Sequence, residues 1–279
     1  MENILITGTS TGIGYSLTKV FIDQGYRVFG SVRKKEDAER LKKEFGEQFH
    51  PLIFDVTDHE AVAASVSEVK NVIKDEGLAC LINNAGVAIS GTIIHTSIKD
   101  FQHQFDINLF GVIAVTKSYL PLLGALKDYE NKPGKIINIS SVSGVIAFPF
   151  LSPYCASKFA LEAFSDSLRR ELLIYGIDVI KIAPGAIKTP IWKKSEKISQ
   201  EVLNSDYGPS IKKFQQHTRK SAQAAMESDE LARRILKVFL KKRPRTRYTF
   251  LNNKFTNYTI PRHFISARIF DGFIKKMFS

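Results

Sequence analysis

The stretch Thr7-Gly8-Thr9-Ser10-Thr11-Gly12-Ile13-Gly14 narrows the choice of fold more than any other, because of where it stands. A strand-like run from Asn3 to Thr7 leads into it, and an amphipathic helical pattern from Tyr15 to Gln24 leads out. Glycines at a strand-to-helix turn let backbone approach a diphosphate. The helix that begins there offers unpaired N–H groups and the positive end of its dipole. Gly8, Ser10, Thr11, Gly12, Ile13 and Gly14 are therefore candidate cofactor contacts. A glycine pattern alone is a weak sign, but this one has the strand–turn–helix setting that nucleotide binding requires.

The alternation continues along the chain. Arg27–Val32, Leu52–Phe54, Ala79–Ile82, Lys135–Ile139 and Asp178–Ala183 read as strands separated by helical stretches. Strand then helix, repeated, is the pattern of a parallel sheet wrapped on both faces, with ligands at the carboxyl ends of its strands. No Pro/Ser/Gly-rich linker or internal repeat divides the 279 residues, 44% of them hydrophobic. One α/β domain over residues 1–279 is expected.

Several candidate residues fall at those strand ends. The second strand ends about twenty residues after the glycine turn, where an NAD-binding chain places an Asp or Glu for the ribose hydroxyls. Val32 and then Arg33 stand there instead, and Arg33, aided by Ser31 and Lys34, suits a 2′-phosphate. NADP(H) is preferred and NAD(H) is the alternative, with Asp37 reaching the ribose and Arg33 a solvated loop charge. Asp55 and Val56 follow the third strand, placed for an adenine edge, or Asp55 is a simple turn residue; Thr57 or Asp58 caps the next helix. The fourth strand ends in Asn83-Asn84-Ala85-Gly86, small and polar residues suited to passing close to a ribose or simply to a turn.

The fifth strand delivers Ser141 to its carboxyl end, and Pro153 opens a helix carrying Tyr154 and Lys158 four residues apart, on one face. A phenol with an ordinary pKa of about 10 is a poor proton donor or acceptor near neutrality. An ammonium one turn away favours the phenolate, and Ser141 can hold a substrate oxygen while Tyr154 exchanges a proton with it. Alone, Tyr-x-x-x-Lys is a common surface pair; the Ser-rich strand end and the amino-terminal glycine turn give it catalytic meaning.

From Asn3 to Pro190 these motifs resemble the short-chain dehydrogenase/reductases. The resemblance implies a Rossmann-type doubly wound parallel sheet with helices on both faces. It makes Asn108, Ser141, Tyr154 and Lys158 a catalytic set, with Asn108 kinking its helix and holding a water that relays protons through Lys158. It assigns Thr7 to Gly14 to the cofactor turn and Asn83 to Gly86 to the support of the sheet beside it. Pro184, Gly185, Ile187 and Thr189 would receive the nicotinamide carboxamide. The implied reaction is hydride transfer between a nicotinamide and a carbonyl or alcohol carbon, Tyr154 acting as general acid or base and Lys158 also holding the ribose. Val28–Arg33 and Tyr154–Lys158 look most like the hydroxysteroid and retinol dehydrogenase branch, implying a bulky hydrophobic alcohol or ketone; Phe148, Pro149, Phe150 and Trp192, which flank the catalytic segments, either line its pocket or, the favoured reading for each, pack in the core. It also implies a homodimer or homotetramer paired through the helices bearing Asn108 and Tyr154. The rival reading is an NADP(H)-binding sensor or scaffold without turnover.

The carboxyl-terminal part differs in charge. Residues 193–279 hold 20 Lys or Arg against 7 Asp or Glu, a net of +13, whereas residues 1–192 hold 20 against 21. Residues 191–225 suit a substrate lid. A helix from Ser228 to about Lys241 and a last strand, Arg245–Phe250, follow, and residues 251–279 form a basic extension with apolar residues at helical spacing from Ile260 to Phe278. Such a helix packs on the cleft or a neighbouring subunit, the favoured expectation, or lies peripherally at a membrane surface through residues 260–279. No nucleic-acid-binding module is recognisable among the cations. A strand starting at Asn3 leaves no room for a signal peptide, so a cytoplasmic chain is expected. The two cysteines, Cys80 and Cys155, suit buried reduced thiols, and no metal-ligating pattern accompanies them.

Overall fold

The computed structural model describes residues 1–190, 200–252, 259 and 265–278. Seven strands, β1 (Asn3–Ile6), β2 (Arg27–Val32), β3 (Phe49–Ile53), β4 (Leu78–Asn83), β5 (Lys135–Ile139), β6 (Asp178–Pro184) and β7 (Arg247–Phe250), form one sheet in the order β3-β2-β1-β4-β5-β6-β7. Every pairing is parallel. The order reverses between β1 and β4, opening a crevice at their carboxyl ends. All four residues of β1 are buried, as in a sheet covered on both faces.

One face is covered by α1 (Gly12–Asp23), α2 (Lys35–Phe45) and α9 (Ser228–Phe239), the other by α3 (His59–Ile73), α5 (Gly111–Tyr119) and α6 (Ser152–Glu171). Phe21 of α1 meets Phe239 of α9 edge to face, ring centres 5.5 Å apart. On the opposite face Val62, Val69, Val115, Tyr119 and Leu168 close over β4, β5 and β6. Helix α4 (Ile98–Phe105) runs into α5 through a single π turn, Asp106–Phe110. Asp58 caps α3 by accepting from Ala61 N at 3.0 Å.

Of the boundaries that depart from expectation, two do so for plain physical reasons. Strand β3 begins at Phe49, before Pro51, because β3 is an edge strand where proline removes no needed ladder bond. Strand β4 runs through Asn83, one residue past its apolar run, because the Asn83 side chain finds partners inside.

A smaller lobe stands at the carboxyl ends of the strands. It is built from α7 (Gln200–Asn204), α8 (Gly208–Gln223) and α10 (Ala267–Phe278), with Leu151, Cys155, Val202, Ile211, Phe214 and Phe278 as its buried centre. The chain enters and leaves the α7–α8 segment side by side: Ile187 and Met226 form a parallel bridge, Met226 N donates to Ala186 O at 3.1 Å and Lys188 N to Met226 O at 3.0 Å. Residues 191–199 of the expected lid, Trp192 included, lie outside the described residues, as do Ile260 and Phe264 of the expected terminal helix. Within the described residues that helix packs on the lobe through Ile274 and Phe278. Cys80 and Cys155 are free and buried, and no described helix is long and apolar enough to cross a membrane.

Candidate active site

A cleft of about 520 Å³ opens at the carboxyl ends of the strands. Gly8, Ser10, Thr11, Gly12 and Ile13 line one part of it. Gly8 and Gly12 adopt φ of +73° and +60°, the left-handed region that glycine enters without strain. A Cβ on Gly8 would also lie 3.0 Å from Ala85 Cα, and one on Gly12 3.1 Å from Thr189 Cγ2. Thr11 caps α1 without a side-chain hydrogen bond, so the amino end of α1 remains available to an anion. Gly14 does not line the cleft. A Cβ there would fall 2.1 Å from Gly8 O, so Gly14 lets α1 pack against the turn rather than touching a ligand.

Asn83 is likewise not a cleft residue. It is the last residue of β4, and its side chain turns into the protein, donating to Thr116 Oγ1 at 3.0 Å and Asn138 Oδ1 at 2.8 Å. Within the same expected supporting tetrapeptide, Asn84 ties the turn in place: its Nδ2 donates to Thr7 O at 2.8 Å and Gly8 O at 3.1 Å. Thr7 Oγ1 in turn accepts from Asn84 N and Ala85 N. The ends of β1 and β4 are thereby tied together beneath the glycine turn. Ala85 and Gly86 line the cleft as expected.

At the other end of the cleft Ser31, Arg33, Asp55 and Val56 line the wall. Ser31 Oγ accepts from Gly8 N at 3.0 Å, and the largely exposed Arg33 lies 3.7 Å from Asp55. Burial works to raise the Asp55 pKa, but hydrogen bonds from Thr57 and the Arg33 guanidinium outweigh it and hold it below the usual carboxylate value. Asp37, the alternative ribose partner, is paired with Arg40 at 3.0 Å and is not part of the lining; neither is Lys34.

Ser141, Tyr154 and Lys158 meet in the same cleft. Pro153 sits in the first turn of α6, so Tyr154 and Lys158 project one turn apart. Lys158 Nζ donates to Ile139 O at 2.8 Å and lies 5.9 Å from the centre of the Tyr154 ring. Ser141, two residues past the end of β5, is in extended backbone and its Oγ accepts from Ser143 N at 3.1 Å. The expected mutual tuning is not what dominates. Burial pushes the Tyr154 phenol up to about 12, with Ser141 drawing it down, and pushes Lys158 down to about 8, with Glu162 opposing it. Both charged forms lose their hydration, and in the protein alone that loss outweighs their attraction.

Glu162, one turn beyond Lys158, is buried and held by cations: Lys181 Nζ at 3.3 Å and Arg247, whose Nε donates to it at 2.9 Å. Lys181 also reaches Asp166 at 2.6 Å. Asn108 is fully buried within the π turn and does not line the cleft. Its Nδ2 donates to Val87 O at 3.0 Å and Ser157 Oγ at 3.1 Å, and its Oδ1 accepts from Val87 N at 2.9 Å. It fastens the segment after β4 to α6. A Cβ on Gly86 would lie 3.2 Å from Asn108 Oδ1 and 3.9 Å from Lys158 Nζ, which places all three at one spot.

Pro184, Gly185, Ile187 and Thr189 close the far side of the cleft. Val87, Ile89, Ser90 and His103 line it too, and sequence reasoning had not found them. Gln104 Oε1 accepts from Ile89 N at 2.8 Å and its Nε2 donates to Val87 O at 2.7 Å; a buried glutamine on α4 was the missed signal that this segment is held in place. The glycine cradle, the free amino end of α1, and Arg33 and Lys158 at separated positions fit an anionic dinucleotide.

Residues 2–200 match the family model described as short chain dehydrogenase. The chain is 38% identical over 281 aligned residues to NADPH-dependent 3-dehydrocapnine reductase of Ornithobacterium rhinotracheale, covering 99% of each. Human retinol dehydrogenase 16 is 38% identical over 192 residues, covering 68% of this chain and 58% of that protein. Among solved structures, a short-chain dehydrogenase from Streptomyces avermitilis superposes with a TM-score of 0.77 at 24% identity, covering 92% of this chain and 90% of that one. The closed form of serine dehydrogenase complexed with NADP+ superposes at 0.75 with 23% identity, covering 90% and 94%.

Proposed function

Because the chain belongs to the short chain dehydrogenase family, we propose that it is an NADP(H)-dependent oxidoreductase that interconverts a carbonyl and an alcohol on a hydrophobic substrate, with Tyr154 moving the proton. The observation that carries this reading is the meeting of Ser141, Tyr154 and Lys158 in the cleft that the glycine turn opens.

When bound, the dinucleotide supplies or accepts the hydride. Gly8, Gly12 and the amino end of α1 would hold its diphosphate, Arg33 the 2′-phosphate, and Lys158 the ribose beside the nicotinamide. In the reducing direction Ser141 donates a hydrogen bond to the substrate oxygen and orients it. Tyr154 then gives its proton to that oxygen. A phenol held near 12 is protonated at neutral pH, ready to act as the acid. In the oxidising direction Tyr154 must first lose that proton to act as the base. Asn108 serves as a positioning residue, holding Val87 and Ser157 so that the cleft wall and α6 stay in register.

The name of the Ornithobacterium relative specifies NADPH and a reduction; retinol dehydrogenase acts on retinol, an apolar alcohol. Phe148 and Phe150 pack with Phe214 in the centre of the lobe and do not line the cleft, so the core-packing alternative holds for them. Phe110 and Phe159 leave an apolar face exposed on the helices bearing Asn108 and Tyr154, which suits a homodimer or homotetramer in the cytoplasm. The test is Tyr154→Phe. NADPH oxidation with a panel of apolar ketones should fall roughly 10²–10⁴-fold while NADPH binding, followed by its fluorescence, is unchanged. Retained turnover overturns the assignment of Tyr154.

A further inference from the structure

Helix α10 carries more apolar surface than the lobe covers. Phe270, Ile274 and Phe278, four residues apart, share one stripe, and Ile274 and Phe278 pack into the lobe. One residue earlier in each turn, Ile269, Phe273 and Met277 form a second stripe beside the first. They remain 58%, 57% and 45% exposed. A helix that only capped the lobe would carry polar residues there. Lys276 borders this second stripe and Arg268 and Lys275 lie on the remaining face, with Asp271 the one carboxylate of the helix.

The neighbouring parts of the lobe repeat the pattern. Lys212, Lys213 and Lys220 of α8, the helix on which α10 packs, are exposed. Residues 200–223 and 265–278 together hold seven Lys or Arg against three Asp or Glu. Ile93, Ile94 and Ile98, which follow the cleft-lining segment after β4, are exposed as well, and His95 lies 3.9 Å from Glu201 of α7. Exposed isoleucines thus stand a few residues beyond the cleft-lining Ile89 and Ser90, beside the basic lobe.

We infer that this face of the lobe docks on an anionic lipid surface, with Ile269, Phe273 and Met277 entering the interface and Arg268, Lys276 and the α8 lysines meeting the headgroups. Apolar burial and attraction to anionic lipid reinforce each other on such a helix. The charge argues against a second copy of this chain as the occupant, since a two-fold contact would bring the same cations face to face. Docking would set the cleft mouth at the surface in which an apolar alcohol or ketone is dissolved; that last step rests on the proposed activity, whereas docking itself does not.

The experiment is co-sedimentation of the full chain with phosphatidylglycerol vesicles and, separately, with phosphatidylcholine vesicles, at low and high salt and without cofactor. The wild type and Tyr154→Phe should bind the anionic vesicles alike, bind phosphatidylcholine far less, and be released by salt. Ile269→Glu with Phe273→Glu should weaken binding roughly tenfold or more while leaving turnover of a short, water-soluble ketone unchanged. Absence of binding to phosphatidylglycerol, or binding that this double variant does not weaken, overturns the inference. So does a change of oligomeric state in the double variant by light scattering, which would make the stripe a subunit contact. If Tyr154→Phe binds vesicles but the wild type turns over no ketone, the proposed activity fails and the docking stands.

Discussion

Tyr154 and Phe150 are four residues apart in the chain and belong to two different kinds of structure. Tyr154 stands on a helix tied to the sheet by directional bonds: Lys158 to the Ile139 carbonyl, Glu162 to Lys181 and Arg247, Asn138 to Ser165. Phe150 is held by rings. It meets Tyr207, Phe214 and Phe278 edge to face, in a lobe whose centre is apolar. The first construction sets reacting groups within fractions of an ångström; the second supplies a greasy surface whose shape can change without moving them.

That contrast can be broken or sharpened by substitution. Glu162→Gln should have the largest effect, because it removes the buried negative charge that faces the half-buried Arg247 and the buried Lys181. A loss of about 3 kcal/mol of global stability is expected in denaturant unfolding; a loss near zero would mean that the polar scaffold is not what holds α6. Phe278→Ala should be nearly as costly, up to about 3 kcal/mol, but confined to the lobe. Amide exchange should speed in α8 and not in β1, with KM for an apolar ketone rising while NADPH affinity stays put. Exchange that quickens equally in β1 would erase the distinction.

Arg33→Asp acts on one contact at the rim and should shift the ratio of kcat/KM for NADPH over NADH about tenfold toward NADH, worth about 1.4 kcal/mol. An unmoved ratio would show that Arg33 is a solvated charge. The smallest effect concerns pH. The Lys158 pKa is lowered from 10.5 to about 8 in the folded protein, so between those values the unfolded chain binds more protons and stability rises with pH. Lys158→Met should therefore be more stable than the wild type below pH 8. That advantage should shrink above it, by less than about 1.4 kcal/mol per pH unit, in chemical unfolding followed across the range.

The strands and the chemistry at their ends were legible because both are local. Period, glycine and proline placement located β2 and β5 to the residue, and the four-residue spacing of Tyr154 and Lys158 placed both in the cleft. Asn83 was misread because two adjacent asparagines differ only in which way a strand residue points, and the chain continued as a strand one residue longer than its apolar run. Gly14 was read as a contact because close approach of backbone to backbone leaves the same letter as close approach to a ligand. The direction of the Tyr154 pKa was missed because burial is a property of the assembled sheet and α6, and in this pocket it exceeds the attraction of a neighbouring charge. The clasp of Glu162 by Lys181 and Arg247 joins residues 85 positions apart at its widest, and no local pattern announces it. Likewise only the packed lobe reveals that α10 has two apolar stripes, one covered and one bare.

The bridge between Ile187 and Met226 means that the segment carrying α7 and α8 begins and ends at one point, just past the carboxyl end of β6. Closing a longer or shorter loop between two fixed posts changes its entropy only logarithmically with length. A chain that exchanged that segment as a cassette would keep the glycine turn, Tyr154 and Lys158 in place, because all of them lie outside it. Because Phe278 reaches in from the far end of the chain to complete the lobe, a new cassette must evolve together with its tail.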